Sequence, residues 1–123
     1  MVAAKVVLTV TSGTHNGKKF VFSGPTRFVI GRAHDCTARL AGAFEDCLVS
    51  RHHCEVDVEA PCVRVHDLGS RNGTFVNGKR IMSPQPACGA LHDTEIIPQH
   101  YELKDGDELM IGPIPLHVNI CPE

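Results

Sequence analysis

The sequence predicts an all-β fold, an antiparallel β-sandwich of about eleven strands, from three observations. Apolar residues in nearly every patterned segment repeat with the strand period of two. These segments are short and are separated by Gly, Pro and Asn turn chemistry. No window of ten or more residues carries a helical apolar stripe.

The elements follow in chain order. Val6, Leu8 and Val10 alternate with Val7 and Thr9. Thr11 to Lys19 holds Asn16-Gly17, a hairpin dipeptide because both residue types tolerate positive φ. Phe20 and Phe22 flank Val21, and Phe28-Val29-Ile30 forms the next apolar run. Cys54, Val56 and Val58 alternate with Glu55 and Asp57, and Val63 and Val65 with Arg64 and His66, with Pro61 at the bend. Thr74-Phe75-Val76 is a very short strand that turns at Asn77-Gly78 and returns through Lys79 to Ile81. Pro84, Pro86, Gly89 and Pro98 break the segment from 82 to 100, read as an inserted surface loop starting near the end that carries Arg71. Leu109 and Ile111, then Leu116, Val118 and Ile120 against His117 and Asn119, complete the pattern. One polar face per strand implies sheets packed through their apolar faces.

At 123 residues the chain fits one domain with a moderate core. Its apolar runs are too short to span a bilayer, which takes about 20 residues. The N-terminal stretch from Met1 to Lys5 carries no signal-like apolar segment, so a soluble cytoplasmic protein without membrane contact is expected. A net charge of −2 argues against a nucleic-acid partner, which would require a basic stripe. The six cysteines are scattered without a Cys-x-x-Cys pair, so reduced thiols are expected, with Cys54 and Cys62 serving as small core residues.

Three polar tips carry the functional signal. Ile30-Gly31-Arg32 ends an apolar run, and Gly31 allows the backbone to leave the strand sharply. The planar fork of Arg32 suits paired phosphate oxygens better than a lysine point charge. Ser50-Arg51-His52-His53 precedes a strand, with a hydroxyl donor at Ser50 and a further cation at Arg51. In Asp67-Leu68-Gly69-Ser70-Arg71-Asn72-Gly73, Gly69 and Gly73 supply permissive angles. Asn72 there offers both donor and acceptor to an extended backbone. Folded together, these tips would present forked donors and a hydroxyl to one small anion.

In this order, the three pieces resemble the forkhead-associated (FHA) domain family of phosphothreonine-peptide binding modules. The match runs from about Phe28 to Asn77 and resumes weakly at Tyr101-Glu102-Leu103-Lys104-Asp105-Gly106-Asp107; the longer insertion at 82–100 departs from the family pattern. The resemblance implies an eleven-stranded sandwich in which Arg32 and Ser50 contact the phosphate and Arg51 lies beside it or on the peptide. It further implies that Asn72 holds the peptide main chain, that Arg71 often contacts ligand, and that His53 braces the loops by hydrogen bonding. Gly31, Gly73 and Asn77 then support the site structurally. The implied partner is a phosphothreonine-containing kinase or kinase substrate, bound by a signalling adaptor without a cofactor. Leu48 and Val49, just before Ser50, suggest an apolar preference beyond the phosphothreonine.

Catalysis or a metal centre is not expected. His53 and Cys54, like His66 and Asp67, are strand neighbours pointing to opposite faces, and no His-x-His, Cys-x-x-Cys or Gly-x-Ser-x-Gly spacing occurs. The alternative is a phosphate-independent interaction or assembly module on the same sandwich.

Overall fold

A computed structural model of the chain describes residues 4–59, 62–82 and 96–122. Pro61, Pro84, Pro86 and Gly89, singled out above as breakers, lie outside the described residues, as do Met1 to Ala3. The strands are β1 (Ala4–Val10), β2 (Lys19–Ser23), β3 (Thr26–Gly31), β4 (Ala38–Arg39), β5 (Cys54–Glu59), β6 (Cys62–Asp67), β7 (Thr74–Val76), β8 (Lys79–Ile81), β9 (Ile96–Ile97), β10 (His100–Glu102), β11 (Glu108–Ile111) and β12 (Ile114–Pro122). A 3₁₀ turn, Phe44–Leu48, lies between β4 and β5. Among the described residues no helix is long and apolar enough to cross a membrane.

Two sheets form the sandwich, a seven-stranded one ordered β2-β1-β12-β11-β7-β8-β9 and a five-stranded one ordered β10-β6-β5-β3-β4. The described residues form twelve strands, close to the expected eleven. The two-residue β4 and β9 pair in parallel with β3 and β8, so both sheets are mixed at an edge rather than wholly antiparallel. Two residues contain no alternation to read, which explains why neither strand was visible in sequence. β9 and β10 also occupy the last part of the segment expected to be a loop.

The period-two residues become the core. Val6, Leu8 and Val10 of β1 meet Leu116 and Val118 of β12, and Ile30, Cys54, Val56 and Val65 come from the opposing sheet, all fully buried. Phe22 stacks on Phe28 with ring centroids 3.6 Å apart, joining the two sheets at one margin. Cys54 is buried as expected, whereas Cys62 is only half-buried at the start of β6.

Strand register brings the polar tips to one pole. Ile30 pairs with Cys54 and Cys54 with Asp67, so β3 ends, β5 begins and β6 ends at the same level. In the other sheet Thr74 pairs with Ile111, and the Gly112 amide donates to the Gly73 carbonyl at 3.0 Å. The pairing of Phe75 with Arg80 carries β8 back toward this pole.

Candidate functional site

The first two tips are joined by their backbones. The Arg32 amide donates to the Ser50 carbonyl at 3.1 Å and the Ala33 amide to the Arg51 carbonyl at 3.0 Å. Gly31 is essential here for a reason other than the one its sequence suggests. A Cβ at Gly31 would lie 2.2 Å from the Arg51 carbonyl oxygen and 2.9 Å from its carbon, so only glycine permits the approach. Gly31→Ala should therefore cost about 1–3 kcal/mol of stability, as overpacking does. Urea denaturation measures this, and an unchanged midpoint would contradict the close approach.

Arg32 is exposed, and its Nε donates to the Val49 carbonyl at 3.0 Å. Among the described residues no acceptor takes its two Nη nitrogens. The side chain is thus anchored at one edge while its outer edge faces solvent. Ser50 Oγ accepts the Arg71 amide at 3.0 Å, which ties the second tip to the third and leaves the hydroxyl proton to be donated elsewhere. Asn72 Nδ2 donates to the Leu48 carbonyl at 2.8 Å, a second tie between the same loops. Arg51 and Arg71 are exposed at this pole. Arg32, Ser50, Arg51, Arg71 and Asn72 therefore belong to one continuously bonded cluster of loops.

His53 is the buried brace of this cluster. Its Nδ1 lies 3.0 Å from the Ser50 amide, a donor, so Nδ1 must offer its lone pair. Nε2 then carries the proton and donates to the Gly73 carbonyl at 2.7 Å. One neutral tautomer thus connects the second tip to the third. Burial holds the His53 pKa below its ordinary value, helped by the Arg80 cation and opposed by the Gly73 carbonyl and the Asp67 charge. Because the unfolded imidazole titrates near about 6.5, the unfolded chain binds the extra proton first as pH falls. Stability should be complete above that pH and decline below it, by at most about 1.4 kcal/mol per pH unit until the folded value is passed. His66, half-buried beside His100, is displaced in the same direction, mainly by burial. Denaturation of the wild type, His53→Gln and His66→Gln between about pH 7 and pH 5 separates the two. A wild-type slope unaltered in His53→Gln would exclude the brace from this window.

The third tip is organised from beneath by Asp67, which the sequence did not assign to the site. Its Oδ2 accepts the Gly69 amide at 2.8 Å and the Ser70 amide at 2.7 Å. Its Oδ1 accepts the hydroxyls of Ser70 and, at 2.7 Å, Thr74. Ser70 Oγ in turn accepts the Gly73 amide at 3.0 Å. Burial pushes the carboxyl upward, but these four donors outweigh it and hold the Asp67 pKa below the usual value. Gly73 has φ +91°, and a Cβ there would meet the Phe75 ring at 2.9 Å and the Arg80 guanidinium at 3.0 Å.

A further support was missed in sequence. Thr14 donates its amide and hydroxyl to Glu45 at 3.0 and 2.8 Å, and His15 Nε2 lies 2.7 Å from Asp46 Oδ2. These bonds bind the β1–β2 loop to the 3₁₀ turn that leads to Leu48 and Ser50. Asn77 does not join the site. With φ 51° it turns the chain at the far end of β7, where its Nδ2 donates to Asp107 Oδ1 at 3.0 Å and its Oδ1 accepts the Glu108 amide at 2.9 Å. It supports the hairpin, not the loop pole.

The family model described as FHA domain matches residues 28–97. The chain is 34% identical over 110 residues to Angiogenic factor with G patch and FHA domains 1 of Mus musculus, covering 86% of this chain and 14% of that protein. It is 32% identical over 110 residues to Glycogen accumulation regulator GarA of Mycolicibacterium smegmatis, covering 89% of this chain and 56% of that one. The chain thus spans only part of these relatives' lengths. A solved structure from work on phosphothreonine-dependent FHA domain interactions superposes with TM-score 0.70 at 27% identity, covering 97% of this chain and 99% of that one. Mycobacterium tuberculosis EmbR, solved in complex with a low affinity phosphopeptide, superposes with TM-score 0.67 at 25% identity, covering 96% of this chain and 24% of that one.

Proposed function

The chain belongs to the FHA domain family, and from that premise we propose that it is a non-catalytic reader of phosphorylated threonine, bringing a kinase or a kinase substrate to its pole of loops. The observation that carries this reading is the bonding of three tips into one cluster, with the outer edge of Arg32 and the hydroxyl proton of Ser50 left for a ligand. In this reading a phosphate takes the Arg32 fork and the Ser50 hydroxyl, and Arg51 and Arg71 add charge. Asn72 has one amide proton on Leu48, so its remaining proton and Oδ1 address the main chain of an extended peptide.

The exposure of Leu48 and Val49 bears on the apolar preference they suggest. Val49 is 1% exposed and belongs to the core, whereas Leu48 is 47% exposed beside the Asn72 tie. A residue beyond the phosphothreonine would therefore meet Leu48, not Val49.

Calorimetry with a phosphothreonine peptide, its unphosphorylated twin and its phosphoserine twin tests the proposal. Binding is expected for the first alone at full strength, with the phosphoserine twin weaker by about 1 kcal/mol for one lost methyl contact. Affinity should fall below about pH 6, where the phosphate monoester loses its second charge. Equal affinity for the unphosphorylated twin would defeat the proposal and favour a phosphate-independent module.

A further inference from the structure

A second cluster of ligand-type side chains lies beside these loops, and the reading above does not use it. Asp35 and Cys36 come from the loop after β3, and His52 from the loop before β5; their ligand atoms all lie within 4.8 Å of one another. His52 Nε2 is 3.0 Å from both carboxylate oxygens of Asp35. Cys36 is 7% exposed, and its Sγ lies 3.1 Å from the Arg51 carbonyl oxygen. The two loops are held in register by the Ala33 to Arg51 bond and by the Cys36 amide donating to the Ala33 carbonyl at 3.0 Å. The fold thereby assembles a ligand set that no sequence spacing announced.

We infer that Asp35, Cys36 and His52 form a binding site for a divalent transition metal of the zinc class. One sulfur, one imidazole nitrogen and one carboxylate oxygen are a borderline-soft donor set, which selects against magnesium and calcium. On a tetrahedral ion with bonds of about 2.0–2.3 Å, these ligand atoms stand about 3.3–3.6 Å apart. Asp35 and His52 are exposed, so small side-chain rotations bring the present separations into that range. The Asp35–His52 hydrogen bond is what such a pair makes without metal; on ligation the shared proton shifts to His52 Nδ1 through solvent and the ion takes its place at Nε2. On ligation Cys36 releases its thiol proton to solvent and its sulfur leaves the Arg51 carbonyl. Water fills the fourth position. The ion would tie the loop after Arg32 to the loop after Arg51, adding positive charge next to both.

Cobalt(II) titration of the chain carrying Cys47→Ser, Cys88→Ser and Cys121→Ser tests the site without any peptide, so its outcome is separate from that of the phosphothreonine reading. One equivalent should produce a thiolate-to-cobalt charge-transfer band, which zinc should abolish by displacement. The affinity should fall at least about tenfold in His52→Ala and Asp35→Asn, as loss of one ligand requires, and the band should vanish in Cys36→Ser. His52→Ala and Asp35→Asn alter exposed residues, so they report even if Cys36→Ser fails to fold. Zinc should also raise the melting temperature of the parent chain and not that of His52→Ala. Absence of the band, or a band that forms in His52→Ala at unchanged affinity, would overturn the site and leave the Asp35–His52 pair as a simple tie between loops.

Discussion

Arg32→Ala is expected to weaken binding of a phosphothreonine peptide by about 2–5 kcal/mol, as when one partner of a desolvated charged pair is removed. The fold should tolerate the change. Arg32 is exposed, and among the described residues its side chain contributes one bond, from Nε to the Val49 carbonyl, worth about 1 kcal/mol. The backbone bond from the Arg32 amide to Ser50 does not depend on the side chain and survives. Affinity and stability should therefore separate: calorimetry shows a large loss, while urea denaturation shows a small one. Arg32→Lys sharpens the test. A lysine retains the charge but has no second edge, so it could not hold the Val49 carbonyl and a phosphate together as the guanidinium would in the proposed site. It should recover only part of the affinity. If Arg32→Ala bound the peptide as the wild type does, the phosphate would have to sit elsewhere.

The same side chain shows how much of the site could be read from the sequence. That Arg32 follows the end of a strand, just after a glycine, was legible from Phe28-Val29-Ile30-Gly31 alone. The carbonyl that orients it was not, because Val49 follows a 3₁₀ turn with no periodicity to mark it. Gly31 was flagged correctly but for a turn, whereas the structure uses it for contact with a loop twenty residues onward. His53 was expected to brace the loops, and it does so through both ring nitrogens. Asn77 was grouped with the site because it closes the same motif in sequence. Three residues of β7 are enough to carry it to the opposite pole. Long-range polar pairs were invisible for a simpler reason. Thr14 and His15 find Glu45 and Asp46 across 31 residues, and neither segment has a pattern that names the other. The strands were legible wherever one face is buried over four or more residues, and illegible in β4 and β9, where a pair of residues is all there is.

Asp67→Ala should be the most destabilising polar substitution at this pole, costing about 3–5 kcal/mol. Asp67 is 1% exposed, and its removal strands the amides of Gly69 and Ser70 and the hydroxyls of Ser70 and Thr74. Each buried group left without a partner costs about 1–3 kcal/mol, and because the four share one acceptor their losses do not simply add. Thr74→Val provides the scale, since it removes one donor and leaves the carboxylate with three; about 1 kcal/mol is expected. Asp67→Asn should lie close to alanine, because its amide nitrogen would face donors where an acceptor is needed. The pH dependence gives an independent check on the charge. The folded carboxyl is held below its ordinary value, so its contribution is present above the unfolded pKa of about 3.9 and is lost as pH falls through the lower folded value. In Asp67→Ala that acid window should flatten, while the decline below about pH 6.5 expected from His53 should persist. Binding should suffer along with stability, because Arg71 and Asn72 sit on the turn that Asp67 holds. A variant as stable as the wild type, with its acid limb unchanged, would mean that the loop is shaped by its glycines and not by the carboxylate under it.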